Sequence, residues 1–165
     1  MPLRYGENPH QQAALYLPPL AETPWEVVST GVPWLIVELS RFEAMARLDP
    51  DQSLIAKECK AIRAVGVTAF VERAPTDPIR IRVRTFAPAE GVTEDPVCGS
   101  GNGSVAAYIA RHKHAGEAKG NYVAEQGIEI GRDGLVHASW ERENECLRVK
   151  IAGQAAVSAS GQLFL

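Results

Sequence analysis

Asp95, Cys98 and Ser100 stand close together among Gly99, Gly101 and Gly103, and the chain then runs straight into the apolar stretch from Val105 to Ala110. A glycine-rich turn that enters a buried helix leaves several backbone N–H groups without intrahelical partners, all pointing into one small space. The helix dipole adds partial positive charge there, so the place suits an anion, either a phosphate or a carboxylate. Two familiar phosphate readings fail on spacing. A phosphate-binding P-loop ends in Gly-Lys-Ser/Thr, and no lysine is present in this segment. A dinucleotide fingerprint needs G-x-G-x-x-G, whereas Gly99, Gly101 and Gly103 recur at every second position. A carboxylate held at the helix N-terminus remains. Asp95 and Cys98 are then the candidate catalytic groups, because a carboxylate and a thiol beside an anion site suit proton transfer next to a bound carboxylic acid. Gly99, Ser100, Gly101, Asn102 and Gly103 are the candidate substrate-binding residues.

Other roles fit some of the same residues. Asp95 precedes Pro96, and Asp-Pro pairs are common in turns. Cys98 reads equally as a small buried hydrophobe or as a thiol whose pKa the helix N-terminus lowers. Cys59 and Cys146 sit in apolar patterns and read as packing residues. His112 and His114 lie two apart near a helix end, where solvation or pairing with the dipole is the expected role; His10 and His137 have no identifiable partner. Arg80, Arg82 and Arg84 alternate along one strand and read as a solvated face. Gln126, Gly127 and Arg132 fit either a cleft wall or a strand turn.

The elements that must position this segment follow from periodicity and punctuation. Strands are predicted over 25–29 and 33–39, split by Thr30-Gly31. Ser40 is a candidate N-cap for a short helix to Leu48, with Glu43 at the capping-box position. A second helix is predicted over 49–65, ended by Gly66. Strands follow at 67–72 and 79–86, then a long polar loop over 87–103 and a helix over about 104–114. That helix is apolar around much of its circumference and is expected to be buried on most sides. The remainder reads as strands at 122–125, 128–131, 135–140, 147–151, 155–160 and 163–165, with Asp133-Gly134 as a hairpin turn. This order is α+β, with a mostly antiparallel sheet wrapped around the central helix.

The chain has 165 residues, 45% apolar and 22% charged, which suits one folded domain rather than a disordered segment. Its net charge is −3 with cations spread along the sequence, which argues against a nucleic-acid surface. No apolar run approaches the length of a membrane span or a signal peptide, and three cysteines without metal-ligand spacing suggest a reducing compartment. A cytoplasmic location is expected.

The loop also carries a resemblance. Arg84, Phe86, Pro88, Gly91, Glu94, Asp95, Pro96, Gly99 and Ser100, followed by Ala106-Ala107-Tyr108, resemble the signature of PhzF-like isomerases, of the diaminopimelate-epimerase-like superfamily. The segments Val27–Leu35, Glu125–Arg132, Ile151–Gly153 and Gly161–Leu163 are similar to further stretches of that family. The resemblance covers residues 24–165 and implies the C-terminal half of the family fold. Residues 1–23 form an irregular segment, in which Leu3–Tyr16 resembles a motif of the AICAR transformylase part of the bifunctional purine-biosynthesis enzyme. That motif gives no catalytic assignment.

The resemblance implies a cofactor- and metal-independent isomerase or epimerase acting beside the carboxylate of a small cyclic or amino acid. Asp95 and Ser100 match substrate-contacting positions, and the Gly99 and Gly101 amides would hold the carboxylate. Cys98 departs from the PhzF pattern, but Cys98-Gly99-Ser100-Gly101 is similar to the catalytic thiol segment of the cysteine-based epimerases. The family's first half is not matched, so the site is expected to need a second half or another copy of the chain, and a homodimer or larger assembly is expected. The alternatives are a non-catalytic carboxylate-binding module and a degenerate fragment.

Overall fold

The computed structural model describes residues 23–164. The motif at 3–16, with His10, lies outside them. The chain builds β1 (Glu26–Ser29), β2 (Pro33–Glu38), α1 (Phe42–Ala46), α2 (Gln52–Ile62), β3 (Gly66–Glu72), β4 (Ile81–Ala87), β5 (Val92–Asp95), α3 (Gly99–His112), β6 (Lys119–Gln126), β7 (Gly134–Glu143) and β8 (Cys146–Ala152). One sheet joins all the strands in the order β1-β2-β3-β4-β6-β7-β8, with β5 paired to β4. Only β2–β3 and β4–β6 pair in parallel, so the sheet is mostly antiparallel, as expected.

The burial patterns explain the layers. β2 and β3 are apolar on both faces and buried throughout most of their length, the pattern of strands covered on two sides. One face receives α3; its neighbours include Val28, Ile36, Phe70, Val83, Ala124, Val136 and Ala138. The other face packs against α1 and α2 through Val37, Met45, Leu48, Ile55, Cys59, Val71 and Phe86. β7 alternates instead, burying Val136, Ala138 and Trp140 with His137 exposed and Ser139 half-buried between them, the pattern of a strand covered on one face among the described residues. α3 thus lies in the hollow of a curled sheet, with Val105, Ala106, Tyr108 and Ala110 fully buried. Each such side chain removed from water contributes on the order of 1–3 kcal/mol, least for alanine.

Several boundaries differ from the sequence-based expectation. α3 begins at Gly99, not near 104, so the glycine segment is the first turn of the helix rather than a loop before it. The stretch read as one loop contains β5, which is short and exposed at its start and carries no apolar alternation. The cap of α1 is Arg41 rather than Ser40, and it makes no side-chain cap bond. α2 is capped by Asp51, whose side chain accepts from Leu54 N, and it ends on Arg63 at φ 59° rather than on Gly66, which opens β3. Residues 128–130 form a 3-10 turn instead of a strand, and residues 153–164 carry no regular element. Cys146 is exposed rather than packed.

The arginine face is the largest correction. Arg84 is 6% exposed; it forms a two-pronged pair with Glu94 at 2.9 and 2.7 Å and donates to the carbonyls of Met45 and Leu48. Arg82 pairs with Glu129 at 2.8 Å and lies over the Phe42 ring with Arg73. α1 covers this face of β4, so the alternation marks an ion-paired interior, which binary patterning cannot distinguish from a wet one. Among the described residues no helix is long and apolar enough to cross a membrane.

Candidate functional site

β5 ends at Asp95, paired with Thr85 of β4, and three residues later Cys98 caps α3. The turn between them is tightened by Asp95 itself, whose Oδ1 accepts from Val97 N at 3.0 Å. The chain therefore arrives at the helix with Asp95 half-buried, Cys98 buried and Gly99 exposed. The Cys98 sulfur acts as the cap, accepting from Gly101 N at 3.3 Å, and it lies 3.6 Å from Ser100 Oγ. Ser100 Oγ in turn accepts from Trp34 Nε1 at 3.0 Å, which ties the helix start to β2.

The helical first turn decides which amides are free. Gly101 N is spent on Cys98 Sγ, and Asn102 N on Cys98 O. Gly99 and Ser100 are the first two residues of α3, and among the described residues their N–H groups meet no acceptor. The expected amide cradle thus narrows to Gly99 and Ser100. Gly101, Asn102 and Gly103 are buried and serve to seat the turn. A Cβ at Gly101 would stand 2.9 Å from Thr68 Oγ1 and 3.2 Å from Thr85 Oγ1, so only glycine lets the helix settle on this pair of hydroxyls. Thr68 and Thr85 are themselves 3.3 Å apart, facing one another from β3 and β4.

The electrostatics at Cys98 run against a lowered pKa. Burial pushes the thiol up, hydrogen bonds from Ser100 and the Gly101 amide pull it down, and the neighbouring Asp95 carboxylate raises it again. The balance is upward, because the thiol of a residue 5% exposed loses more hydration than two weak donors return. Of the two readings of Cys98, the upward shift fits the buried thiol rather than the one activated by the helix end.

Two further residues complete the arrangement. Gln126, the last residue of β6, is 1% exposed and reaches both ends of the Asp95–Cys98 turn, and Asn102 bonds to Gln126 and to Cys98 O, each at 2.8 Å. Trp34 is the other. Both stand in the segments that carry the family resemblance, the only signal in the sequence that set them apart; Thr68 and Thr85 gave a weaker one, as hydroxyls inside buried strands. Arg132 is exposed. Among the described residues no group of three or more His, Cys, Asp or Glu is placed to hold a metal ion.

Comparison with known proteins agrees with this fold. The profile of the PhzC-PhzF family, described as phenazine biosynthesis-like protein, matches residues 5–161. An uncharacterized isomerase of Clostridium acetobutylicum is 33% identical over 143 residues, which are 85% of this chain and 47% of that protein. The trans-2,3-dihydro-3-hydroxyanthranilate isomerase of Pseudomonas fluorescens is 30% identical over 145 residues, 86% of this chain and 48% of its own length. The crystal structure of a PhzF-family phenazine biosynthesis protein from Bacillus anthracis superposes with a TM-score of 0.79 at 24% identity, covering 91% of this chain and 52% of that one. The chain spans about half the length of the relatives it matches.

Proposed function

Because this chain belongs to the PhzC-PhzF family, we propose that it forms one half of an isomerase or epimerase that moves a proton beside the carboxylate of a small cyclic or amino acid. The observation that carries the reading is the pair of unspent amides, Gly99 and Ser100, at the head of a buried helix with Asp95 in the adjoining turn. The substrate carboxylate accepts from these two N–H groups at the positive end of the helix. Asp95 removes the proton from the neighbouring carbon; Cys98, held as a thiol, is suited to giving a proton rather than taking one. A group on the opposite side of the substrate handles the other proton. One relative is named as an isomerase of trans-2,3-dihydro-3-hydroxyanthranilate, a cyclic carboxylate, which supports the substrate class.

The opposite side comes from a further domain or from a second copy of the chain. Exposed apolar side chains at the site end support this: Val97 at 46%, Leu135 at 50% and Ile151 at 36%. The exposed tail adds Val157, Leu163 and Phe164. Apolar surface of this kind marks a face made to be covered.

A second reading, a carboxylate-binding module without turnover, draws support from the way both candidate catalytic groups are engaged. Cys98 caps the helix, and Asp95 holds the Val97 amide. Loss of the α-proton signal of small carboxylic acids in D2O, followed by NMR, separates the two. Exchange is expected in the wild type and is expected to fall at least ~100-fold in Asp95→Asn, the scale of a lost general base, while carboxylate binding persists. Binding without exchange, in a chain shown by light scattering to be associated, would leave the binding module. Undiminished exchange in Asp95→Asn would remove Asp95 from the mechanism.

A further inference from the structure

We infer that Gln126 is the positioning residue of this site, holding Asp95 and Cys98 in fixed relation to the free amides of α3. The geometric part stands by itself; its meaning for catalysis rests on the proton-transfer reading. Gln126 Nε2 donates to Asp95 O at 2.7 Å, and Gln126 Oε1 accepts from Cys98 N at 3.3 Å. One side chain thus grips the turn on both sides of Pro96 and Val97. The same oxygen accepts from Asn102 Nδ2 at 2.8 Å, and Asn102 also donates to Cys98 O at 2.8 Å. Cys98 is held by its N–H and its carbonyl at once.

The network needs a carboxamide. One terminal atom must accept twice and the other must donate, within a space that leaves Gln126 1% exposed. Neither a carboxylate nor an apolar isostere satisfies all three partners. The platform is rigid as well, since Gln126 is paired in register with Val83 of β4 and Gly134 of β7. A site residue held from a strand rather than a loop is placed to within a fraction of an ångström, the tolerance that proton transfer demands.

Two variants of the full chain test this. In Gln126→Glu the protonated acid can still donate to Asp95 O, whereas the ionised form sets two oxygens against each other across the 2.7 Å contact. The amide NMR signals of Val97, Cys98 and Gly101 should therefore match the wild type at the acid end. They should then shift together with a single midpoint absent from the wild type, and α-proton exchange should fall about tenfold across that midpoint, as for a misplaced general base. Folding that is merely weakened, with these amides insensitive to pH, would overturn the inference. If Gln126→Glu does not fold, Gln126→Met serves: acetate affinity and exchange should each drop about tenfold in a folded chain, and their persistence at wild-type levels would overturn the inference equally. A wild type that exchanges no α-proton would sink the proton-transfer reading, whereas titrating amides in Gln126→Glu would still establish the positioning.

Discussion

The C-terminal end of α3 is bound on every side by charge, and its N-terminal end is not. At the C-terminus Lys113 reaches both Glu38 and Glu72, Arg111 and His112 share Glu26, and Arg142 donates to the carbonyl of Ala110. Lys113, Arg111 and Arg142 sit where the helix dipole is negative, so their contacts also suit the helix end. At the N-terminus the cap is a sulfur, the first residues are glycine and serine, and two N–H groups are left over. One end is finished and the other is left open. Ion pairing is thus concentrated at one end and unspent N–H groups at the other, the end to which the proposed function assigns the substrate.

The largest effect should come from filling the seat beneath the open end. Gly101→Val drives carbon into Thr68 and Thr85, and urea denaturation should show a loss of about 2–3 kcal/mol, the usual scale of overpacking. Wild-type stability in that variant would mean that the first turn is not seated as described. A smaller loss is expected at the closed end. Lys113→Met leaves Glu38, 7% exposed, with Thr23 as its remaining partner, and should cost about 1–2 kcal/mol, since the lysine itself is partly solvated. Burial opposes the charge of Lys113, but the hydrogen bonds to Glu38 and Glu72 outweigh it and hold the pKa above the ordinary lysine value. A raised folded pKa means that this stabilisation is complete below about pH 10 and is lost as pH rises through the folded value. The alkaline loss should be smaller in Lys113→Met, the remainder coming from buried acids such as Cys59, and a loss of unchanged size would assign it to those groups alone.

The smallest effect sharpens the comparison at the thiol. Iodoacetamide at neutral pH should label exposed Cys146 about tenfold faster than Cys98, because a raised pKa and burial both withhold the thiolate. Cys59, buried and pushed up to about 12, should be slowest. Cys98 labelling first would show that the helix dipole prevails over burial at the open end.

The strands flanking the site and the buried central helix were legible because they follow periodicity: the apolar run of α3 and the alternation of β7 are written in residue types. Asp95 and Ser100 were legible through their motif, and the structure keeps them with Gly99 at the helix head. The helix start was misread because glycine has poor helix propensity, and the gain from close seating on Thr68 and Thr85 is a tertiary contact that no local window contains. Arg84 was misread for a similar reason, since its partners Met45, Leu48 and Glu94 are distant in sequence or lie in an unrecognised strand. Gln126 lies in the Glu125–Arg132 motif, but its bonds to Asp95 and Cys98 exist only because β6 ends beside their turn, which no local pattern contains.

Gly103 has a consequence of a mechanical kind. A Cβ there would meet Thr30 Oγ1 at 2.9 Å on one side and Ile151 Cγ1 at 3.7 Å on the other. Thr30 belongs to the turn that leaves β1, and Ile151 to β8, the two strands at the ends of the sheet order. The turn after β1 and strand β8 therefore close on α3 from either side with only a hydrogen atom of Gly103 between them. Pressure that spreads or squeezes those outer strands arrives at the helix only three residues beyond the Ser100 amide. A load on those strands is therefore passed to the turn that bears the free Gly99 and Ser100 amides without touching the amides themselves.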